Sequence, residues 1–449
     1  MRVPTHGRAG PAWAVLAALG WMGCSSLTGP PPPDIVLLVI DTLRADHVGV
    51  YGAARPTSPA IDAFATQSVR FERAYAPAPW TLPSTATILT GMAPSAHGAV
   101  RVGQKLSPAA LTLPERLQEE GYATVALSAN PFVSRTWGLA QGFDHFEQPL
   151  RTPADRNAAE ALVRRGLELI DTDCARPCFL YLHFIDPHDP YTPHAEHAFD
   201  PGPTGRLKGG EEIGVLRTLD PDLQADELDF IVASYDEEIA ATDAAVGRLL
   251  SGLYDRGRRS DAVLALTADH GEEFMGRGWL GHTRTLYEEL LRVPLMVSAP
   301  GLAAEVRAEP VALQQLAPTL AALAGLPTGD EPRLPLGVAK VTDAVVFSEV
   351  DFVPINESER LKTAKKQAVV QGSWKLIRDG LGGGPELYNL AADPGEQLNL
   401  ARVEPERLAT LGAVLDQAAQ AGGAEPLPRV ETQMSDAEQE QLRHLGYIE

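Results

Sequence analysis

The chain has little of what marks several protein classes. Its 449 residues include three cysteines, Cys24, Cys174 and Cys178, too few for a disulfide scaffold. Lysine and arginine number 38 against 59 aspartates and glutamates, a formal charge of −21. That balance argues against nucleic acid as a partner, because backbone binding needs clustered cations. The apolar stretch from Trp13 to Gly23 is too short to span a bilayer, which takes roughly 20 residues. There is no internal repeat, and the one low-complexity tract is Pro30 to Pro33. What is present is ordinary for a folded protein with a large core: 44% hydrophobic and 22% charged residues.

Arg2 and Arg8 precede the first apolar stretch, which predicts a signal peptide over 1–23. Gly23-Cys24-Ser25-Ser26 resembles a bacterial lipoprotein cleavage site with Cys24 as the lipid-carrying residue, although Trp21 and Met22 depart from the small and aliphatic residues usual there. The expectation is an exported protein, periplasmic or on the outer surface, held to the membrane through a lipid anchor. Residues 24–33 would form a proline-stiffened linker. An ordinary signal peptide cut nearby is the alternative. In such a compartment the spacing of Cys174 and Cys178 permits a small-loop disulfide, while simple burial of Cys178 at a strand start explains it equally.

Three apolar runs end on an aspartate: Ile35 to Asp41, Phe179 to Asp186, and Val263 to Asp269, the last followed by His270. Short aliphatic runs separated by helix-like segments read as strands of a mostly parallel sheet buried on both faces. Ligand sites of such sheets lie beyond the carboxyl ends of the strands. Three carboxylates meeting there call for a cation, which points to a metal-dependent hydrolase. Alternation continues through helices predicted from Ser58-Pro59 to Gln67, from Leu113 to Glu120 behind a Thr112–Glu115 capping box, from Pro153 to Asp171, from Ala225 to Leu253 and from Leu313 to Leu323. Short strands at Ala344–Ser348, Gln367–Val370 and Trp374–Ile377, then a helix near 403–420, predict a smaller α+β subdomain over 336–449, beside a main domain over 34–335.

Trp80-Thr81-Leu82-Pro83-Ser84-Thr85 opens an apolar helix, so Thr81 or Ser84 falls in a first turn that favours anions. A hydroxyl there, held against a metal, can attack a sulfate or phosphate ester; as a bare segment it reads equally well as a helix cap. Asp269-His270-Gly271-Glu272 sets a carboxylate and an imidazole at a strand end. Pro187-His188-Asp189 follows Asp186, and His282 lies in a later loop. Such histidines can hold a second metal, bind the ester anion or protonate a leaving group, and any one of them alone is more often structural.

With these residues in order, the chain resembles the sulfatases of the alkaline-phosphatase superfamily. The resemblance runs from about Asp34 to Ala401 through Ile40-Asp41-Thr42-Leu43-Arg44-Ala45-Asp46, Thr81-Leu82-Pro83-Ser84 with Leu89-Thr90-Gly91, Thr267 to Glu272, Tyr287-Glu288-Glu289 before Arg292-Val293-Pro294, and Glu386 to Leu390 with Asp393-Pro394-Gly395-Glu396 and Asn399-Leu400. It implies an α/β fold: a central mixed, mostly parallel sheet sandwiched by helices, with a small C-terminal antiparallel sheet. It implies a metal on Asp41, Asp269 and His270, a nucleophile at Thr81, and ester contact by His188. The chain also departs from the family pattern. Thr81 stands where the family has a cysteine or serine oxidised to formylglycine, and its Cβ methyl would allow only a ketone. Thr85 replaces an expected arginine, Thr42 a second aspartate, and Leu127-Ser128-Ala129-Asn130 occupies the place of a Lys-Trp-His segment.

The sequence therefore predicts a metal-dependent hydrolase of sulfate or related phosphate esters. Its proposed ligands are Asp41, Asp269 and His270, its nucleophile Thr81, and its leaving-group histidine His188 or His282. A second metal or substrate set would be Asp186, His188 and His282. Imidazole ligation shifts the balance from calcium toward zinc or manganese, at one or two sites. Alternatives are a phosphodiesterase, phosphonate-ester hydrolase or phosphoethanolamine-type transferase on the same fold, and a non-catalytic surface lipoprotein.

Overall fold

A computed structural model describes residues 31–148, 158–199, 205–219, 223–327, 344–353, 363–421, 426–445 and 447. The expected signal peptide, Cys24 as the expected lipid-carrying residue, most of the expected linker and the expected boundary near 335 lie outside the described residues.

The core is one nine-stranded sheet. Its strands in chain order are β1 (Ile35–Ile40), β2 (Val69–Tyr75), β3 (Ala123–Ser128), β4 (His145–Glu147), β5 (Cys178–Phe184), β6 (Val263–Thr267), β7 (Arg292–Ser298) and β8 (Glu305–Arg307), with the short Val311–Ala312 also on β2. Across the sheet they run β8-β2-β7-β6-β1-β5-β3-β4, and only β7 pairs antiparallel, with β2 and β6. The sheet is thus mixed and mostly parallel. β1, β5 and β6 are buried along their whole length, as their largely apolar, uncharged composition fits for strands covered on both faces. The covering helices include α1 (Pro59–Ala65), α2 (Thr81–Thr90), α3 (Leu113–Glu119), α4 (Ala158–Thr172), α5 (Ala225–Asp255) and α6 (Leu316–Leu323). Thr112 caps α3 through the expected box with Glu115.

Cys174 and Cys178, whose pairing the sequence left open, are joined by a disulfide that ends on the first residue of β5. A four-stranded antiparallel sheet follows: β9 (Val345–Phe352), β10 (Ala364–Gln371), β11 (Trp374–Asp379) and β12 (Glu386–Asn389). It is backed by α7 (Pro405–Ala421). The fully buried Lys375 of β11 reaches Glu288 at 3.0 Å and Glu396 at 2.9 Å, joining this sheet to the strand-edge loops of the main one. A last helix, α8 (Asp436–His444), starts at a Ser435–Glu438 capping box and carries Leu442, Leu445 and Tyr447 into the main core. Among the described residues no helix is long and apolar enough to cross a membrane.

Candidate active site

Strand register decides which residues meet. In the parallel trio β6-β1-β5, Val39 lies opposite both His183 and Thr267. Paired residues in neighbouring strands share a face, and residues two apart in one strand share it too. Asp41, His183 and Asp269 therefore fall on one face of the sheet edge. Asp186 has the parity of Phe184 and Ile40 and falls on the other. The contacts follow this parity. One donor atom from each of Asp41, His183 and Asp269 lies within 4.8 Å of the others, and all three residues are fully buried. The carboxylate of Asp186 instead accepts from the Ala159 N–H at 3.1 Å, in the first turn of α4.

His183 was not singled out by the sequence reading, which passed over it inside an apolar run. Its Nε2 is 3.7 Å from Asp41 Oδ2 and 3.9 Å from Asp269 Oδ2, and its Nδ1 is 2.8 Å from the Tyr181 hydroxyl. His270 adds a fourth donor: its Nε2 is 3.5 Å from Asp41 Oδ1 and 3.6 Å from Asp269 Oδ2. Its Nδ1–H donates to the Gly271 carbonyl at 2.9 Å, which leaves Nε2 as a bare lone pair facing the carboxylates. Gly271 is needed at this turn, because a Cβ there would lie 2.0 Å from the Glu289 carbonyl oxygen.

Asp41 Oδ1, His183 Nε2 and Asp269 Oδ2 have no hydrogen-bond partner among the described residues. Buried acceptors left unpaired are costly, and two buried carboxylates repel. Burial raises the Asp269 carboxyl far above its usual range, and the neighbouring Asp41 charge adds to the shift. Burial also acts to raise Asp41, but the adjacent His183 imidazole and the charges of His188 and His270 outweigh it, holding that group below its usual range. Two carboxylates and two imidazoles around orphaned lone pairs are the donor set of a divalent cation, so these residues fit one.

Thr81 is the first residue of α2 and is fully buried, its extended N-cap being Trp80. Its Oγ1 is 3.4 Å from His270 Nε2 and 3.4 Å from the hydroxyl of Tyr447. Asn130, just past the end of β3, donates to Asp41 Oδ2 and approaches Thr81 Oγ1 at 3.4 Å. Ser84 does not face the ester side: its Oγ donates to the Asp269 carbonyl at 2.6 Å, tying α2 to the metal-side turn. Thr85 is buried in the same helix.

The two loop histidines converge opposite Thr81, their rings 5.0 Å apart. Both approach Tyr447, His282 Nε2 at 2.6 Å and His188 Nε2 at 3.4 Å from its hydroxyl. His282 Nδ1–H donates to Glu272 Oε1 at 2.9 Å, which also fixes its Nε2 as an acceptor. Burial, then the neighbouring His270 and His188, push His282 well below its ordinary pKa, toward the neutral ring. Burial acts the same way on His188, but the Asp189 carboxylate at 3.1 Å and the charges of Asp41 and Glu272 prevail and raise it to about 10. One neutral and one protonated imidazole thus face a single spot beside Thr81.

Sequence reasoning therefore missed His183, Asn130 and Tyr447. A histidine inside a buried, otherwise uncharged and largely apolar strand was the one signal available for the first, since such a ring needs a polar partner. Nothing local marks Tyr447, which lies 366 residues along the chain from Thr81.

Comparison with known proteins adds an independent line. The sulfatase family model matches residues 33–326. The choline-sulfatase of Rhizobium meliloti (strain 1021) is 25% identical over 448 residues, covering 86% of each chain. Human arylsulfatase A is 28% identical over 472 residues, covering 85% of this chain and 86% of its own. Among solved structures, a 2-O GAG sulfatase superposes with a TM-score of 0.74 at 20% identity, over 92% of this chain and 96% of that one. The phosphonate monoester hydrolase of Agrobacterium radiobacter gives 0.72 at 20% identity, over 90% and 100%.

Proposed function

The chain belongs to the sulfatase family and is an ester hydrolase, and from that premise we propose that it cleaves a sulfate or related phosphate ester with Thr81 as the nucleophile. The observation that carries this reading is the Thr81 hydroxyl lying 3.4 Å from His270 Nε2, at the rim of four converging donors. Asp41, His183, Asp269 and His270 would hold a divalent cation. When bound, such a cation polarises ester oxygens and favours ionisation of a hydroxyl beside it.

The protein's own groups supply the rest. The first turn of α2 offers free N–H groups to the ester anion. Thr81 Oγ attacks in line, and the bond to the leaving oxygen breaks. His188, protonated through Asp189, gives that oxygen a proton from Nε2. Water then releases the adduct from Thr81. His282 faces the same spot. Asp186, turned to α4, is a structural anchor in this reading rather than a second-site ligand.

Two imidazoles among four donors favour zinc or manganese over calcium. They also favour a second reading within the same chemistry, phosphate or phosphonate esters in preference to sulfate esters. Export with a lipid anchor at Cys24 completes the proposal and is tested by loss of membrane association in Cys24→Ser.

The experiment is one panel: the protein with its metal content measured, assayed on an aryl sulfate, phosphate mono- and diesters and a phosphonate ester, beside Thr81→Ala. Turnover that depends on metal and on Thr81 is expected. Turnover that survives Thr81→Ala contradicts the nucleophile assignment, and no turnover on any ester favours the non-catalytic alternative.

A further inference from the structure

The last described residue of the chain sits at the centre of the candidate site. Tyr447 is buried, its ring packed edge-on against Phe132 with centroids 4.6 Å apart. Its hydroxyl meets three site residues: His282 Nε2 at 2.6 Å, Thr81 Oγ1 at 3.4 Å and His188 Nε2 at 3.4 Å. Because His282 Nδ1–H is committed to Glu272, the Tyr447 O–H must donate to Nε2. The phenol oxygen is then left to accept, and Thr81 is within its reach. A hydroxyl, an imidazole and a carboxylate in series are the pattern of a base oriented by a third group.

The segment holding Tyr447 is anchored to the main domain. Val430 and Glu431 pair with Lys105 and Gln104, Thr432 donates to the Thr136 carbonyl at 2.9 Å, and Leu442 is fully buried. Such anchoring fixes the phenol in place.

We propose that Tyr447 is a catalytic residue whose hydroxyl links Thr81 to the His282–Glu272 pair and carries the proton that Thr81 loses. The inference rests on Thr81 being the nucleophile. As Thr81 Oγ forms its bond to sulfur or phosphorus, its proton passes to Tyr447 Oη, and the phenol's own proton passes to His282 Nε2. The bond to the leaving oxygen breaks, its electron pair stays with that oxygen, and His188 supplies the proton. Glu272 faces the imidazolium that forms. Water attacking the adduct runs the same transfers in reverse and restores every group.

The test is Tyr447→Phe in the full chain, which keeps the ring against Phe132 and removes only the hydroxyl. The expected result is a kcat lower by about a hundredfold, with KM within about twofold, a melting temperature lower by at most a few degrees for the lost bond to His282, and slower appearance of the Thr81 adduct in a single turnover. His282→Gln should give a similar loss, and the double variant should be no worse than either single one, because the two act as a unit. Thr81-dependent turnover that Tyr447→Phe leaves unchanged overturns the link alone. Faster turnover in Tyr447→Phe overturns it too, since the phenol would then be an obstruction. A wild-type protein that turns over none of the esters overturns both this inference and the nucleophile reading.

Discussion

His183 Nε2 faces Asp41 Oδ2 across 3.7 Å, from the neighbouring strand and on the same side of the sheet. That pairing sets His183 beside Asp41 and Asp269 in the proposed metal site, while Asp186, three residues further on, turns to the start of α4. Chelation should therefore lower the melting temperature of the wild type, because a ligand bound only to the folded state stabilises it by about 4 kcal/mol at a thousandfold excess over Kd. In His183→Ala the melting temperature should no longer respond to chelator, and metal content should fall. Asp186→Asn should keep its metal, and its cost should appear as a small loss of stability at the start of α4. Metal analysis with thermal melts distinguishes the two.

Much of this was open to sequence reasoning. The three strands ending in aspartate gave the sheet edge, and the apolar runs gave strands buried on both faces. Register was the missing quantity: once Val39 is set opposite His183 and Thr267, parity alone separates Asp41 and Asp269 from Asp186. Asn130 and Tyr447 were illegible for another reason. Tyr447 comes to the site from 366 residues along the chain from Thr81, and neither residue carries a local pattern that distinguishes it from an ordinary turn asparagine or buried aromatic.

His97 predicts an acid sensitivity away from the chemistry. It is fully buried; its Nε2–H donates to the Pro83 carbonyl at 3.2 Å, and its Nδ1 accepts the Ala99 N–H at 3.2 Å. A proton on Nδ1 would face that N–H, and burial already disfavours the charge, so its pKa falls from 6.5 to about 3 while the hydrogen bond to Pro83 only partly opposes the shift. With the folded value depressed, the unfolded chain binds the proton first as pH drops below 6.5. Stability should fall between pH 6.5 and about 3 by a few kcal/mol from this group. Urea titrations at several pH values should show that slope reduced in His97→Gln, whose amide can keep the bond to Pro83.

Lys375 holds the C-terminal sheet to the main one through two carboxylates. Removing one partner of a buried ionic group leaves uncompensated charge, so Lys375→Ala should cost about 3–5 kcal/mol. Lys375→Met, which refills the volume, should still leave Glu288 and Glu396 facing each other and recover only part of that loss. Denaturant midpoints of the two variants check the order.

Thr81→Ser keeps a hydroxyl at the start of α2 and should retain turnover within about tenfold, whereas Thr81→Ala should lose at least about a thousandfold in kcat. Neither change should alter metal content, since Thr81 borders the donor set without belonging to it. Steady-state kinetics with metal analysis on the same samples separates the roles.

The most direct measurement of the central claim is to quench the metal-loaded protein during turnover of a phosphate or sulfate ester and to analyse its peptides by mass spectrometry. The account predicts a phosphoryl or sulfuryl group on Thr81, in the tryptic peptide spanning 74–101, and none in Thr81→Ala. Turnover with the adduct on another residue, or turnover that continues in Thr81→Ala, would contradict it.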